Sequence, residues 1–305
     1  MISARSVTHF IGFYLFYGLS WPLLRLPLRA LYMISDLIFI LLYYFPGYRK
    51  KVVLHNLHNS FPEKSDKEIR KIAKAFYHHM CDSLIESFAA ANMSKEEISR
   101  RCVWKNPELL EDYFSRRKSV ISVFGHYGNW EWLSGLPLHT KYIVLALYRP
   151  LRNSYFDSFI KSLRQKYGLK TVPVARGYQV IREYQTNRIP TVTFFLSDQR
   201  PARDKIRYWT RFLNQDTPVM LGAERIARRL DQVVVFFSIT RVKRGYYEVE
   251  IIPVAEEPQS TANHEITEMH IRLLEKQIMI NPGYWLWSHK RWKHKHGKHK
   301  PEAQL

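Results

Sequence analysis

The chain has 305 residues, 46% hydrophobic and 24% charged, with Lys+Arg 47 against Asp+Glu 27 and a formal net charge of +20. This is enough apolar material for one large domain or two small ones, and it excludes an intrinsically disordered chain. Two cysteines, Cys81 and Cys102, exclude a disulfide framework or a cysteine-rich metal site, and the charge predicts an anionic partner: nucleic acid, an acidic protein or a phospholipid surface.

Residues 10–24 carry no charge, and residues 30–48 form a second apolar stretch containing only Asp36. Neither comfortably reaches the ~20 apolar residues of a spanning helix, and no small-x-small cleavage site comes after the first run. Tyr14, Tyr17, Trp21, Tyr32, Tyr43 and Tyr44 are amphipathic aromatics of the kind found at a headgroup boundary. Arg49, Lys50 and Lys51 form a basic stop that, on the positive-inside rule, leaves the domain beyond it cytoplasmic. Residues 1–50 are therefore expected to be a hydrophobic membrane-anchoring helix region, spanning or lying in the interface; a buried helix pair is the alternative.

Over residues 66–91, Ile69, Ile72, Ala73, Phe76, Met80, Leu84, Ile85 and Phe88 recur at helical spacing, and Ser65 with Glu68 reads as a capping box. After Pro107 the pattern alternates. Residues 120–124, 143–147, 171–174, 191–196, 233–239 and 247–252 read as strands, and residues 130–136, 154–167, 179–184 and 219–230 as helices. This alternation predicts an α/β sheet flanked by helices, within one domain over residues 51–287. Residues 288–305 are expected to form a basic tail, with Trp285, Trp287 and Trp292 available as interfacial anchors.

Residues 119–133, SVISVFGHYGNWEWL, stand out: an apolar strand, two glycines around a histidine, then the start of a helix. Functional groups gather where strands end in open α/β sheets. His126 and Glu131 would diverge on a continuous helix, but they can converge with His126 in the loop and Glu131 in the first helical turn. Gly125 and Gly128 permit the sharp backbone, and Asn129 is a candidate N-cap. Composition alone predicts about one His-x4-acid pair by chance; three occur, and only His126/Glu131 lies at a strand-to-helix junction flanked by glycines. A histidine held by a carboxylate is suited to abstracting a proton from a hydroxyl. No Gly-x-Ser-x-Gly elbow is present and no cysteine is adjacent, so direct attack by a substrate hydroxyl on an activated acyl group is the simplest chemistry; a loop histidine satisfied by hydrogen bonds is the alternative.

FGHYGNWEW resembles the His-x4-Asp/Glu motif of the bacterial lipid A biosynthesis acyltransferases, the late (secondary) lauroyl/myristoyl type. HNLHNSFPEKSDKEI, Tyr148-Arg149-Pro150 with Asn153, Arg164, FLSDQRP and YWLWSHKRWK are similar to further segments of that family, in the same order and almost from end to end. Family members often carry an acidic residue after Asp-Gln, where this chain has Arg200.

The resemblance implies a mixed, mostly parallel, glycerolipid-acyltransferase-like fold. It also implies transfer of a fatty acyl chain from acyl carrier protein to a hydroxyl of a lipid A precursor, at the bacterial inner membrane with the catalytic domain on the cytoplasmic side. In that reading His126 is the general base and Glu131 its partner. Arg164, Asp198 and Arg149 are supporting or substrate-binding residues, and no metal or cofactor is needed. Physically, Arg164 can stabilise a thioester oxyanion, hold a phosphate or sit on a helix surface; Asp198 can orient Arg164 or His126, or cap a turn. The positive charge suits acyl carrier protein, a phosphorylated lipid A precursor or related anionic glycolipid, and an anionic membrane surface. Arg225, Arg228 and Arg229 are a candidate carrier dock or a solvated face. A different glycolipid or phospholipid acceptor, or a hydrolase using the same residues, are the neighbouring readings. Nucleic acid is not an expected partner, since no recognition-helix, zinc-finger or ribonucleoprotein motif is present.

Overall fold

Val120-Ile121-Ser122-Val123-Phe124 has no polar face, and such a strand is stable only when both of its faces are covered. In the computed structural model, which describes residues 4–45 and 47–295, this segment is β2 (Val120–Phe124), buried at every position. It lies at the centre of a 7-stranded sheet of order β1-β9-β8-β2-β5-β3-β4. The other strands are β1 (Cys102–Trp104), β3 (Ile143–Tyr148), β4 (Lys170–Pro173), β5 (Thr191–Leu196), β8 (Val233–Lys243) and β9 (Tyr246–Ala255). Only β8 and β9 pair antiparallel, so the sheet is mixed and mostly parallel, as expected. A separate hairpin joins β6 (Trp209–Phe212) to β7 (Gln215–Pro218). The helices α7 (Ser154–Gln165), α8 (Gly177–Thr186), α9 (Gly222–Leu230) and α10 (Glu265–Ile280) pack on the sheet.

Ahead of the sheet come α1 (Ala4–Leu24), α2 (Leu28–Tyr44), α3 (Lys50–Ser60), α4 (Asp66–Ala89), α5 (Lys95–Arg101) and, after β1, α6 (Glu108–Ser115). The capping box forms: Ser65 Oγ accepts from the Glu68 N–H, and Glu68 Oε2 accepts from the Ser65 N–H at 2.9 Å.

The expected membrane-anchoring helix region and the inner-membrane placement that went with it are not supported by the structure. Among the described residues no helix is long and apolar enough to cross a membrane. α2 has 17 residues, which rise about 26 Å against a hydrocarbon core of ~30 Å, and it carries Arg29 and Asp36. α1 has 21 residues, but Gly12, Gly18, Ser20, Pro22 and its tyrosines dilute its apolar character. Both helices find partners inside the protein. Phe13 packs edge-on against Phe156 of α7, and Phe16 against Phe159 of α7 and Phe88 of α4. Leu31, Ser35 and Phe39 of α2 are buried, and the Ser35 hydroxyl donates to Asp82 of α4 at 2.7 Å. Tyr32, expected at a headgroup boundary, instead donates to Glu86 at 2.7 Å.

The basic run after residue 287 does not start as a tail either: Ser288 and Arg291 are buried, and Trp292 Nε1 donates to Thr217 Oγ1 at 2.7 Å. Trp285 and Trp287, expected as interfacial anchors, are buried core residues. Residues 296–305 of the expected tail lie outside the described residues.

Glu86, fully buried on α4, ties the N-terminal helices to the turn after β2. Its carboxylate accepts from Tyr32 Oη, Asn129 Nδ2 and Tyr247 Oη, and its carbonyl accepts from Trp132 Nε1. Burial raises its carboxyl pKa, and the bonds from Tyr247, Asn129 and Tyr32 oppose that rise. Glu86→Ala strands the buried donors of Asn129 and Tyr247, at about 1–3 kcal/mol each, and the half-buried Tyr32 hydroxyl. The variant is expected to lose at least about 3 kcal/mol in denaturant unfolding, and activity with it, because Asn129 and Trp132 flank the candidate catalytic turn.

Candidate active site

β2 and β5 run parallel with Phe124 opposite Leu196, so the residues after each strand emerge side by side at one edge of the sheet. The Ser197 N–H donates to the Phe124 carbonyl at 3.1 Å and carries the pairing one step further. His126 and Asp198 stand next along each chain, and they meet. The imidazole Nδ1–H donates to Asp198 Oδ1 at 2.6 Å, and the His126 backbone N–H donates to Asp198 Oδ2 at 2.8 Å. Trp285 Nε1 donates to the same Oδ2 at 2.8 Å.

Asp198 is 2% exposed at its side chain and His126 17%, so the acid is sealed in while one edge of the ring stays accessible. Burial raises the Asp198 carboxyl pKa, but the charge and hydrogen bonds of His126 and the Trp285 indole outweigh it and hold it at about 2. With Nδ1 donating to a carboxylate, Nε2 is left as an acceptor; Gln199 Nε2 donates to it at 3.2 Å. A substrate hydroxyl would take the position of that amide.

The backbone around His126 is fixed by close approach. A Cβ at Gly125 would lie 3.2 Å from Asp198 Oδ2 and 2.7 Å from Leu274 Cδ1, so any larger residue would crowd the carboxylate and push the Leu274 side chain aside. Gly128 has φ +58°, and a Cβ there would meet Ile239 Cγ2 at 2.9 Å. Residues 284–286 cross the turn: the Gly128 N–H donates to the Tyr284 carbonyl at 3.0 Å, and the Leu286 N–H to the His126 carbonyl at 3.1 Å.

Glu131 does not hold His126. It sits in the first turn of a 3-10 helix (Trp130–Leu138) and takes both bonds of a fork from Arg164 at the end of α7, Nε to Oε2 at 2.8 Å and Nη2 to Oε1 at 2.5 Å. The expected partnership is thus redistributed: Asp198 serves His126, and Glu131 serves Arg164. Chain separation hides this, since the strand register spans 72 residues while His126 and Glu131 are near neighbours in sequence. Burial disfavours the Arg164 charge, and Glu131 more than restores it. Two of five guanidinium N–H groups are used by Glu131, and three are left for a substrate oxygen.

Two cavities meet at these residues. One, of about 490 Å³, is lined by apolar side chains including Phe76, Met80, Leu84, Phe88, Ile160 and Leu163. The other, of about 590 Å³, is lined by Arg149, Lys161, Arg200, Tyr148 and Gln199, and by the first residues of α9. His126, Trp130, Glu131 and Arg164 line both. Of the five sequence-predicted site residues, all but the buried Asp198 therefore border the polar cavity; Gln199, part of the Asp-Gln pair of FLSDQRP but given no role from the sequence, faces His126 Nε2.

Among the described residues, Asp36, His78 and Asp82 have the donor set for a cation, but Arg244 Nη2 sits 2.6 Å from Asp36 Oδ1 and 2.5 Å from Asp82 Oδ1. The guanidinium occupies the place of a metal and ties the β8–β9 hairpin to α2 and α4.

Burial holds four histidines below the ordinary value of 6.5: His79 at about 3, with the Arg241 charge adding to it, His270 at about 4, His289 at about 4, and His139, which is also lowered. These are held neutral in the fold and take up protons on unfolding. Their contribution to stability is complete above the unfolded value of 6.5 and is lost as pH falls from there toward 4 and then 3. The thermal midpoint is expected to drop steadily between about pH 6.5 and 4.5, and His270→Gln should flatten that drop in a scanning calorimetry series.

A sequence model of the bacterial lipid A biosynthesis acyltransferase family matches residues 2–294. The chain is similar to the lipid A biosynthesis lauroyltransferase of Escherichia coli (strain K12), with 22% identity over 279 residues covering 90% of this chain and 89% of that protein. It is also similar to lipid A biosynthesis acyltransferase 2 of Shigella flexneri, with 20% identity over 236 residues covering 77% of this chain and 74% of that protein.

Proposed function

The chain belongs to the bacterial lipid A biosynthesis acyltransferase family and is an acyltransferase; from this we propose that it moves a fatty acyl chain from acyl carrier protein to a hydroxyl of a lipid A precursor. The observation that carries the reading is His126, backed by a buried carboxylate, standing where an apolar cavity meets a cationic one. The acyl chain lies in the apolar cavity, whose volume falls in the roughly 300–1,000 Å³ range of ligand sites. The phosphate-bearing substrates enter the cavity of Arg149, Lys161 and Arg200.

The acceptor hydroxyl displaces the Gln199 amide and gives its proton to His126 Nε2, while Asp198 stabilises the imidazolium that forms. The acceptor oxygen bonds to the thioester carbonyl carbon. Arg164, aimed by Glu131, stabilises the oxyanion. When the tetrahedral species collapses, the carbon–sulfur bond breaks and the imidazolium returns its proton to the departing thiolate. In this reading Glu131 orients the oxyanion cation and has no part in the proton relay.

Arg225 is exposed on α9, whose first residues line the polar cavity, and Arg229 stands over the Tyr178 ring one turn on. An acidic carrier protein docking there would deliver its arm to the cavity mouth.

His126→Ala is expected to abolish transfer with the fold retained; wild-type transfer by that variant would remove the base. Asp198→Asn should lower kcat by about 10⁴-fold and Glu131→Gln by about 10²–10³-fold, with the acid limb of the pH–rate profile altered only in the former. Arg225→Glu combined with Arg229→Glu should raise KM for acyl carrier protein about 10-fold with kcat unchanged. Mass spectrometry of lipids from cells with and without the gene reads the acceptor directly: loss of an acyl chain from lipid A is the expected result, and an unchanged lipid A beside an altered phospholipid or other glycolipid would move the acceptor elsewhere.

A further inference from the structure

Arg291 is 2% exposed and among the largest fully buried side chains, yet among the described residues its Nε and Nη1 have no hydrogen-bond partner and it forms no ion pair. A buried guanidinium left in this state is expensive, and such groups call for an explanation. Its surroundings supply one. Arg291, Asp198 and His270 line a third cavity of about 10 Å³, walled by Phe124, Phe212 and Leu274 and separate from the two that meet at His126. His270 Nε2 is likewise buried without a partner. A space of this size is close to the smallest that holds one water, and the polar groups around it are donors or acceptors in suitable number.

We propose that Arg291 is a positioning residue for the His126–Asp198 pair, acting through one ordered water shared by Arg291, His270 and Asp198, and through its buried charge, which bears on the pair from the side of that cavity. The proposal rests on the reading of His126 as the base. Burial lowers the Arg291 pKa to about 10, so the side chain stays charged at neutral pH, and Asp198 is the acid whose charge supports it. The other groups facing this pair are few. His270 and His289 are held neutral by burial, each at about 4. Arg200 is half-buried and donates to the Lys290 carbonyl at 3.0 Å, and the Arg164 charge is matched by Glu131. Arg291 is thus the cation with the least solvent around it, and its field on the pair is correspondingly the least screened.

A nearby positive charge disfavours proton uptake by both partners, so removing it raises the apparent pH at which the pair protonates. NMR titration of the His126 ring in the full-length chain reads this without any substrate, and so separately from the assignment of donor and acceptor. Arg291→Met is expected to move the midpoint upward by about one pH unit, with the acid limb of the transfer profile moving the same way and KM unchanged. Arg291→Lys, which keeps the charge, should hold the midpoint to within about 0.3 unit. A midpoint unmoved in Arg291→Met would overturn the proposal. A stability cycle covers the case in which that variant folds poorly: Asp198→Asn leaves the guanidinium uncompensated, so the double variant Asp198→Asn/Arg291→Met should melt higher than Asp198→Asn alone. Strictly additive losses would overturn the proposal equally. Absence of transfer in the wild type, with the His126 titration still responding to residue 291, would instead fault the assigned reaction.

Discussion

The site depends on one hydrogen bond, from the His126 ring to a carboxylate sealed under it, and that bond depends on strand register. β2 and β5 pair in parallel with Phe124 opposite Leu196; a slip of one residue would turn every side chain beyond the strands to the opposite face and separate the two groups. The register is protected because β2 is buried at every position and β5 over its first four residues, so a shifted pairing would have to repack both faces. Packing in the core thus specifies a tautomer at the surface. The sealed acid stays ionised because the fold itself fixes its donors, the His126 ring and backbone N–H and the Trp285 indole.

The parts of this protein that were legible in its sequence are those written in local pattern. The apolar runs over residues 120–124 and 191–196 are strands at those bounds, the Ser65/Glu68 capping box forms, and His126 stands at the junction where two glycines placed it. The parts that were not legible are set by pairing across the chain. Adjacency in sequence favoured Glu131 as the partner of His126, whereas the sheet brings Asp198 to it from a strand end 72 residues away. The apolar N-terminus misled for a related reason. Aromatic and aliphatic side chains that suit a lipid interface suit a helix–helix contact equally well, and Tyr32 and Ser35 reveal their buried partners Glu86 and Asp82 only in three dimensions. The short strand β1 and the hairpin of β6 and β7 carry too few residues to impose a period.

The positive charge is divided by depth. Arg149, Lys161 and Arg200 line the polar cavity, where they can meet anionic substrate groups. Arg241 and Arg244 are drawn inward onto Asp82, which is 0% exposed, and serve as interior ties between the hairpin and α4. Arg164 stands between these classes, on the wall common to both cavities, with its direction set by the Glu131 fork. A net charge of +20 therefore does not describe a uniformly basic surface, and only part of it is free to attract a ligand.

The strand of backbone at residues 284–286 lies across the turn that bears His126, and the tryptophan beside it completes the shell around Asp198. During synthesis the turn leaves the ribosome long before this clasp does. A chain cut before residue 284 would therefore lack both the clasp on the His126 turn and the indole bond to Asp198.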